Sequence, residues 1–286
     1  MMPLRFAITG ANGQIGSFLV NSLRNSGHIV YELVRSPGKA QNKQYSQFFD
    51  LAQPKQLPSL KNIDVLIHTA YFFDTTDKDY ETINVVGTQQ LFAQAQQDQV
   101  PYSIFISTLS AHAKASSLYG RIKYQLEQLL IKNAANIAVI RPGLIFHDPL
   151  QGITATMDNF VRKFPIVPLI GKGKQLIHPC FLTDLGQLIG TLSLKQPKIS
   201  QPILAATEQS ITFKQLVKYL AKQRKKSVLL IPIPFFGIYF LLKALELFKI
   251  KIGLRSDSLL GIQYASTDND FSALHHLGVQ FNPLNI

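Results

Sequence analysis

Tyr119 and Lys123, four residues apart, form a candidate acid–base pair. If residues 119–123 are helical, both side chains lie on one face, one turn apart. A nearby ammonium stabilises the phenolate and lowers the pKa of the tyrosine, which suits it to general acid and base catalysis. Two hydroxyl residues come shortly before this pair. We expect Thr108, or failing it Ser107, to hydrogen-bond a substrate oxygen.

The first half of the chain has the elements to position these residues. Short apolar runs alternate with amphipathic stretches, which is typical of a parallel sheet with crossover helices. The predicted strands are residues 4–9, 29–34, 48–50, 65–70, 102–107 and 137–140. Predicted helices follow the first strand, where Gly27 ends the helix as a left-handed cap, and cover residues 79–97 and 118–134.

Gly10, Gly13 and Gly16 lie where the first strand turns into a helix. Glycines in this context let the backbone approach a pyrophosphate, and the helix N-terminus supplies partial positive charge. The alternative is a purely structural turn. The sequence therefore predicts an α/β fold with a dinucleotide site at this turn.

Several motifs in order resemble the short-chain dehydrogenase/reductase superfamily, in its extended and atypical branch. They are Thr9-Gly10-Ala11-x-Gly13-x-x-Gly16, Asp50-Leu51, His68-Thr69-Ala70, Asn84-Val85-Val86-Gly87-Thr88, Tyr119-x-x-x-Lys123 and Arg141-Pro142-Gly143-Leu144-Ile145-Phe146. The resemblance implies a Rossmann-type doubly wound parallel sheet with a smaller C-terminal substrate lobe. We expect the dinucleotide-binding domain over residues 1–145 and the irregular substrate lobe, partly interleaved with the sheet, over 146–286.

The resemblance also assigns site residues. Those expected to act in catalysis are Thr108, Tyr119, Lys123 and Asn84, the last supporting the lysine and completing a proton relay unless it is a satisfied buried amide. Those expected to bind the cofactor are Gly10, Asn12, Gly13, Gln14, Ile15, Gly16, Arg35, Asp50, Leu51, Thr69, Ala70, Tyr119, Lys123 and Pro142. Asp50 could instead be a helix cap. His178 and Asp184 match a further stretch of this branch, and we interpret them as structural.

The end of the second strand bears on cofactor preference. A carboxylate there suits the ribose 2′-hydroxyl of NAD, whereas a cation accommodates the 2′-phosphate of NADP. No acid follows Glu32, while Arg35 can form a forked pair with phosphate and Lys39 could add a charge. We therefore predict NADP(H) over NAD(H), the alternative being a surface arginine.

The sequence departs from two activities of the superfamily. Leu109-Ser110 follows Thr108 where the sugar-nucleotide dehydratases have an acid pair. Fewer residues separate Thr108 from Tyr119 than separate the corresponding positions in the sugar-nucleotide epimerases. We therefore predict an NADP(H)-dependent oxidoreductase that acts on a carbonyl or alcohol carbon of a small-molecule substrate. The alternative is a non-catalytic NADPH-binding structural or membrane-associated assembly subunit, similar to the accessory subunit of respiratory complex I. A further alternative is a nucleotide-sugar epimerase.

Composition excludes other classes. With 46% hydrophobic and 16% charged residues among 286, the chain has ample material for a core and too little charge for disorder. One cysteine, Cys180, excludes an intramolecular disulfide framework and a zinc ribbon, and we expect no metal. The N-terminus lacks the layout of a secretory signal, so we predict a cytoplasmic protein.

The excess positive charge is localised. The formal net charge is +12, yet residues 214–255 hold ten basic residues and one acid, Glu246. Within them the basic run at 222–226 precedes an apolar stretch too short and too broken by proline to span a bilayer. We predict a helix over 235–248. It is either buried in the second lobe, or docks through residues 222–255 on a membrane surface or protein partner, which would make the protein membrane-peripheral. Nucleic acid is not expected, because no nucleic-acid motif accompanies the charge.

Overall fold

The computed structural model describes residues 2–39, 42–133, 136–248, 255–265 and 269–286. Lys249 and Lys251, which contribute to the predicted basic segment, lie outside these ranges. The chain divides into two compact units. Unit 1 comprises residues 1–107, 122–141 and 186–203, and unit 2 comprises residues 108–121, 142–185 and 204–286.

A seven-stranded sheet is the centre of the α/β architecture. Its strands are β1 (Arg5–Thr9), β2 (Ile29–Val34), β3 (Ser46–Phe48), β4 (Val65–His68), β5 (Tyr102–Ile106), β6 (Ile137–Pro142) and β11 (Ile203–Ala205). They lie in the order β11-β6-β5-β4-β1-β2-β3, and the pairs from β3 to β6 are parallel. This order confirms the predicted doubly wound Rossmann-type sheet, whose strand order reverses between β1 and β4.

Helices cover the sheet because its strands are almost continuously apolar and must be buried on both faces. The helices that contribute to unit 1 are α1 (Gln14–Asn25), α2 (Tyr80–Gln97), α3 (Leu118–Asn133) and α5 (Leu182–Lys195). Leu19, Val20 and Leu23 form the buried face of α1. The chain leaves this helix through Gly27 at φ 83°, which confirms the predicted left-handed cap.

Unit 2 has its own hydrophobic core. Its helices are α4 (Gly152–Lys163), α6 (Phe213–Gln223), α7 (Phe235–Leu247), α8 (Ser256–Gln263) and α9 (Ser272–Leu277). Its strands are β7 (Leu144–Phe146), β8 (Ile166–Ile170), β9 (Leu176–Ile177), β10 (Pro179–Phe181), β12 (Ile211–Thr212) and β13 (Leu229–Ile233). They pair two by two, β10 with β7, β12 with β9 and β13 with β8.

The helix predicted over residues 235–248 is α7, and the alternative that buries it in the second lobe holds for one of its sides. Only Leu242 of this helix is buried, while Phe236, Phe240 and Leu247 are exposed. An apolar composition predicts burial for a whole segment, yet a helix can bury only the side it packs with. None of the described helices is long and apolar enough to cross a membrane.

Candidate functional site

The glycine-rich turn after β1 is closed by contacts that exclude any side chain. Gly10 has φ 64°, and a Cβ there would lie 2.7 Å from the Thr69 hydroxyl and 2.9 Å from the Ala70 amide nitrogen. A Cβ on Gly16 would overlap the carbonyl oxygen of Gly10. The Gly13 amide donates to that same oxygen at 2.8 Å. The structure thus brings the predicted residues of the β1 and β4 turns together in unit 1.

The start of α1 is open to an anion. Gly13 is its N-cap residue and provides no side-chain cap, and the first turn of this fully described helix carries no acidic residue. The helix dipole favours negative charge at this end of α1. Asn12 is exposed, and Gln14 and Ile15 are half-buried. A turn built of glycines, next to a helix start without a side-chain cap, fits the pyrophosphate of a dinucleotide.

A buried hydrogen-bond chain supports this turn from below. The Thr9 hydroxyl accepts from the amides of Thr69 at 3.1 Å and Ala70 at 3.2 Å. Its own proton then goes to Nδ1 of His68, 2.7 Å away, so His68 carries its proton on Nε2 and donates it to Thr88 at 3.1 Å. Burial, helped by the charge of Lys123, holds the pKa of His68 well below its usual value, which keeps the ring neutral.

The end of β2 presents a cation. Arg35 follows the strand and is exposed. The acid on the strand, Glu32, is fully buried, pairs with Arg24 at 2.9 Å and accepts from the Asn42 amide at 3.2 Å. Glu32 is therefore engaged inside the protein, and Arg35 is the charged side chain at the strand end.

Asp50 and Leu51 follow β3 and meet α2. A Cβ on Gly87 would lie 2.5 Å from the Leu51 carbonyl oxygen, so glycine is needed for this close approach. Asp50 accepts from the Ala52 amide at 3.1 Å, which forms a local turn. The predicted adenine contact of Asp50 and Leu51 stays a prediction.

Lys123 is 2% exposed on α3. Its ammonium donates to the Ile106 carbonyl at 2.6 Å and lies over the rings of Phe105 and Tyr71, 4.5 and 5.1 Å from their centres. Burial lowers the pKa of Lys123 to about 7, against the charge of Glu127, which raises it. These contacts hold the Lys123 side chain in place. Because its pKa is about 7, its charge near neutral pH depends on the charges close to it.

Asn84 is buried in α2, and its amide is used for local structure. It accepts from the Phe72 amide at 2.9 Å and donates to the carbonyls of Phe72 and Tyr80, each at 2.9 Å. Asn84 therefore holds the segment after β4 against α2. Its place in a proton relay stays a prediction.

Thr108 and Tyr119 belong to unit 2. The Thr108 hydroxyl accepts from the Ser110 amide at 3.2 Å, which leaves its proton available to donate. Asp257 caps the start of α3 by accepting from the amides of Leu118 at 2.6 Å and Tyr119 at 3.1 Å. In unit 1, the Ser107 hydroxyl is buried and finds no partner among the described residues.

Pro142 ends β6 and is buried, and Gly143 follows it against His178. A Cβ on Gly143 would overlap the His178 carbonyl oxygen. The His178 ring donates from Nδ1 to Thr207 at 2.9 Å, and its Nε2 accepts from Asn269 at 2.8 Å. Asp184 accepts from the backbone and side-chain amides of Asn282. These bonds fit the structural interpretation of His178 and Asp184.

A cavity of about 310 Å³ lies within unit 2. Lys174, Gln175 and Asn269 are among the residues that line it. The side-chain oxygens of Gln175 and Asn269 are buried without a hydrogen-bond partner among the described residues. Buried acceptors of this kind are costly unless a donor reaches them. The lining of the cavity combines these polar residues with apolar ones such as Leu176 and Ile262.

Comparison with known proteins shows similarity to nicotinamide-dependent enzymes. Residues 6–140 match the model of the NAD dependent epimerase/dehydratase family. The UDP-glucose 4-epimerase of Vibrio cholerae is 25% identical over 268 residues, which cover 82% of this chain and 80% of the epimerase. The match confirms the resemblance to the extended short-chain dehydrogenases/reductases, whereas the likeness to a complex I subunit stays a prediction.

Solved structures share the fold of this chain. MoeE5 in complex with UDP-glucuronic acid and NAD has a TM-score of 0.68 at 20% identity, covering 96% of this chain and 97% of MoeE5. The dTDP-4-dehydrorhamnose reductase of Bacillus anthracis, in complex with NADP, has a TM-score of 0.66 at 18% identity, covering 83% and 86%. The comparisons support a nicotinamide cofactor and an NAD(P)-dependent enzyme of the oxidoreductase or epimerase type.

No supporting role was predicted from the sequence for three positions, although Thr9 and His68 are part of the motifs that carry the resemblance. Thr9 and His68 hold the turn after β4, and Asp257 holds the backbone of Tyr119. A polar residue inside an apolar strand is a usable signal, because it must find a buried partner. Asp257 gives no such signal, since it is 138 residues from Tyr119 in the chain.

Proposed function

We propose that this chain is an NADP(H)-dependent oxidoreductase that interconverts a carbonyl and an alcohol by Tyr119 and Lys123 chemistry. The observation that carries the proposal is the buried ammonium of Lys123, fixed at 2.6 Å on the Ile106 carbonyl and four residues from Tyr119 on α3. A buried cation is costly to maintain. Its position one turn from a tyrosine gives it a use in lowering the pKa of the phenol.

In the proposed reaction each residue handles one proton or one hydrogen bond. The bound cofactor supplies the hydride to a carbonyl carbon, or accepts it from a carbinol carbon. In reduction the Tyr119 hydroxyl donates its proton to the substrate oxygen, and Lys123 stabilises the resulting phenolate. Thr108 donates a hydrogen bond to that oxygen, because its own hydroxyl proton is not used in the bond from Ser110. In oxidation the same groups act in reverse.

The preference for NADP(H) rests on the end of β2. Glu32 is engaged by Arg24 within the fold, and the exposed guanidinium of Arg35 is suited to a 2′-phosphate. The hydroxyl or N–H groups of the substrate would lie in the unit 2 cavity, which is lined in part by the polar residues Lys174, Gln175 and Asn269. Nucleotide sugars, which the solved relatives bind, carry such groups.

The catalytic part is tested by following NADPH oxidation with a panel of ketones and keto sugars. We expect Tyr119→Phe to lower kcat/KM at least about 100-fold, the usual size of a lost acid or base contribution, with NADPH affinity little changed. Tyr124→Phe, on the same helix, is the control and should keep full activity. Equal turnover by wild type and Tyr119→Phe would refute the proposed chemistry.

The cofactor preference is tested separately by titrating NADPH and NADH into wild type and Arg35→Ala. We expect Arg35→Ala to weaken NADPH binding about tenfold, or 1.4 kcal/mol, and to leave NADH binding unchanged. Lys55→Ala is a surface control for lost charge. An unchanged ratio of the two affinities in Arg35→Ala would overturn the assignment.

A further inference from the structure

The outward side of α7 is apolar. Its inward side packs on the core of unit 2 through Leu242, Phe235, Ile238 and Tyr239. Exposed hydrophobic side chains occupy the other side of the helix and its C-cap, namely Phe236 at 66%, Phe240 at 65%, Leu241 at 60%, Leu247 at 79% and Phe248 at 73%. A surface helix in water normally places polar residues outward. Because α7 instead places apolar side chains outward, its exposed side suits an apolar environment.

Strand β13 continues this apolar surface. Leu229 and Ile231 are exposed and alternate along the strand, so they point to the same side as Ile233. The Ile233 side chain lies 3.5 Å from where a Cβ on Gly237 of α7 would be, which links the strand to the helix. We call the exposed residues Leu229, Ile231, Phe236, Phe240, Leu241, Leu247 and Phe248 the α7–β13 surface. Large contiguous apolar surfaces mark interaction sites.

Basic residues belong to the same segment of the chain as the α7–β13 surface. Lys214, Lys218 and Lys222 are exposed and follow each other at four-residue intervals on α6, and Lys225 continues the exposed charge just before β13. Lys243 lies on α7 itself and is exposed.

Residues 214–255 contain little negative charge. Glu246 is the sole acid of residues 214–255. It pairs with Lys243 at 3.8 Å and accepts from the amide of Ser256 at 2.7 Å and from its hydroxyl at 2.9 Å. The described residues 214–248 therefore hold seven basic side chains against this one acid, and of the seven Arg224 pairs with Asp158.

We propose that the α7–β13 surface docks on a lipid bilayer that contains anionic headgroups. Aromatic and aliphatic side chains beside lysines match the two layers of a bilayer surface, the acyl boundary and the anionic headgroups. Helix α7 is about 20 Å long, shorter than the roughly 30 Å hydrocarbon core, so it lies along the interface. A second copy of the chain fits less well, because two positive surfaces would face each other.

Vesicle flotation of the full chain tests the proposal. Vesicles of phosphatidylcholine alone are compared with vesicles that contain about 30% phosphatidylglycerol, at low and high salt. We expect binding to the anionic vesicles at least about tenfold stronger than to the neutral ones, and weakened at high salt because the headgroup attraction is screened. Equal binding to both compositions, or no binding to either, would overturn the proposal.

Variants assign the binding to these residues. Phe236→Ser with Phe240→Ser should weaken flotation about tenfold, and Lys222→Gln with Lys225→Gln should reduce both the binding and its salt dependence. The matched controls are Leu194→Ser, exposed on α5, and Lys61→Gln with Lys78→Gln; both should bind like wild type. Circular dichroism verifies folding, and the wild-type comparison of vesicles decides the question if the phenylalanine variant unfolds.

Oligomeric state separates the lipid from a protein occupant. We expect a mass in solution that the phenylalanine substitutions leave unchanged. A wild-type dimer that becomes a monomer on Phe236→Ser with Phe240→Ser, without flotation of the wild type, would assign the surface to a second copy and overturn the lipid proposal.

Discussion

The ammonium of Lys123 and the carbonyl oxygen of Ile106 lie 2.6 Å apart inside unit 1. This bond joins α3 to the end of β5 and holds a cation where water does not solvate it. The free energy of keeping the charge buried lowers the pKa of Lys123 to about 7. In the unfolded chain a lysine titrates near 10.4.

The first prediction concerns the pH dependence of stability. Between about pH 7 and 10 the unfolded chain binds the proton of this lysine more tightly than the folded protein does. The free energy of unfolding therefore rises with pH over this range, and this gain is lost as the pH falls to 7. From pH 7 to pH 9 we expect wild type to gain about 2 kcal/mol in the free energy of unfolding relative to Lys123→Met. Urea unfolding at both pH values measures it. Lys132→Met, exposed on the same helix, should follow wild type, and a Lys123→Met that also follows it would contradict the prediction.

A second prediction concerns the glycine turn. In Gly16→Ala the new methyl group meets the Gly10 carbonyl, so the turn must move away from its pyrophosphate-binding shape. We expect nucleotide affinity to fall at least about tenfold and the free energy of unfolding to fall by about 1–3 kcal/mol. Fluorescence titration with NADPH and urea unfolding measure these changes. In the control Gly190→Ala nothing lies within 4 Å, and native affinity there shows that the loss belongs to the turn.

A third prediction concerns Thr9. Thr9→Val keeps the shape of the side chain but removes the acceptor of the Thr69 and Ala70 amides and the donor to His68. We expect a loss of about 1–3 kcal/mol in stability, since buried polar groups are left unsatisfied, and weaker NADPH binding. Thr82→Val, exposed on α2, should leave both unchanged. Wild-type affinity in Thr9→Val would show that the turn after β4 does not need this support.

A fourth prediction separates capping from catalysis. Asp257 caps the backbone at Tyr119, and Asp270 accepts from the Ser272 amide at 2.8 Å in the same manner. Replacing either with alanine should cost about 1 kcal/mol of stability. Only Asp257→Ala should also lower kcat/KM of the proposed reaction, because the start of α3 loosens around Tyr119. Equal catalytic loss in both variants would point to stability alone.

Local patterns predicted much of unit 1. Apolar runs located the central strands to within a residue or two at most ends, because parallel strands buried on both faces must be apolar. The order of the strands follows from which long-range pairs form, and here the resemblance to a known superfamily supplied what periodicity could not. The glycine spacing likewise anticipated the turn that joins Gly10, Gly13 and Gly16.

Unit 2 was harder to predict for a physical reason. Strands such as β9 and β12 have two residues each and exist because they pair with each other across the chain. Helix α7 carries large apolar residues on both its inward and its outward side, so hydrophobicity does not separate the inward Leu242 from the outward Phe240. Its orientation is decided by packing on the core of unit 2.

The division of unit 1 among three stretches has a consequence for synthesis on the ribosome. The sheet acquires its last strand, β11, only once residue 205 has been made, after much of unit 2 has already emerged. During synthesis the sheet therefore has an open edge beside β6 until the residues of β11 have been translated. Vectorial folding of this chain should be late and cooperative, and a release of the chain at residue 145 would leave an aggregation-prone intermediate.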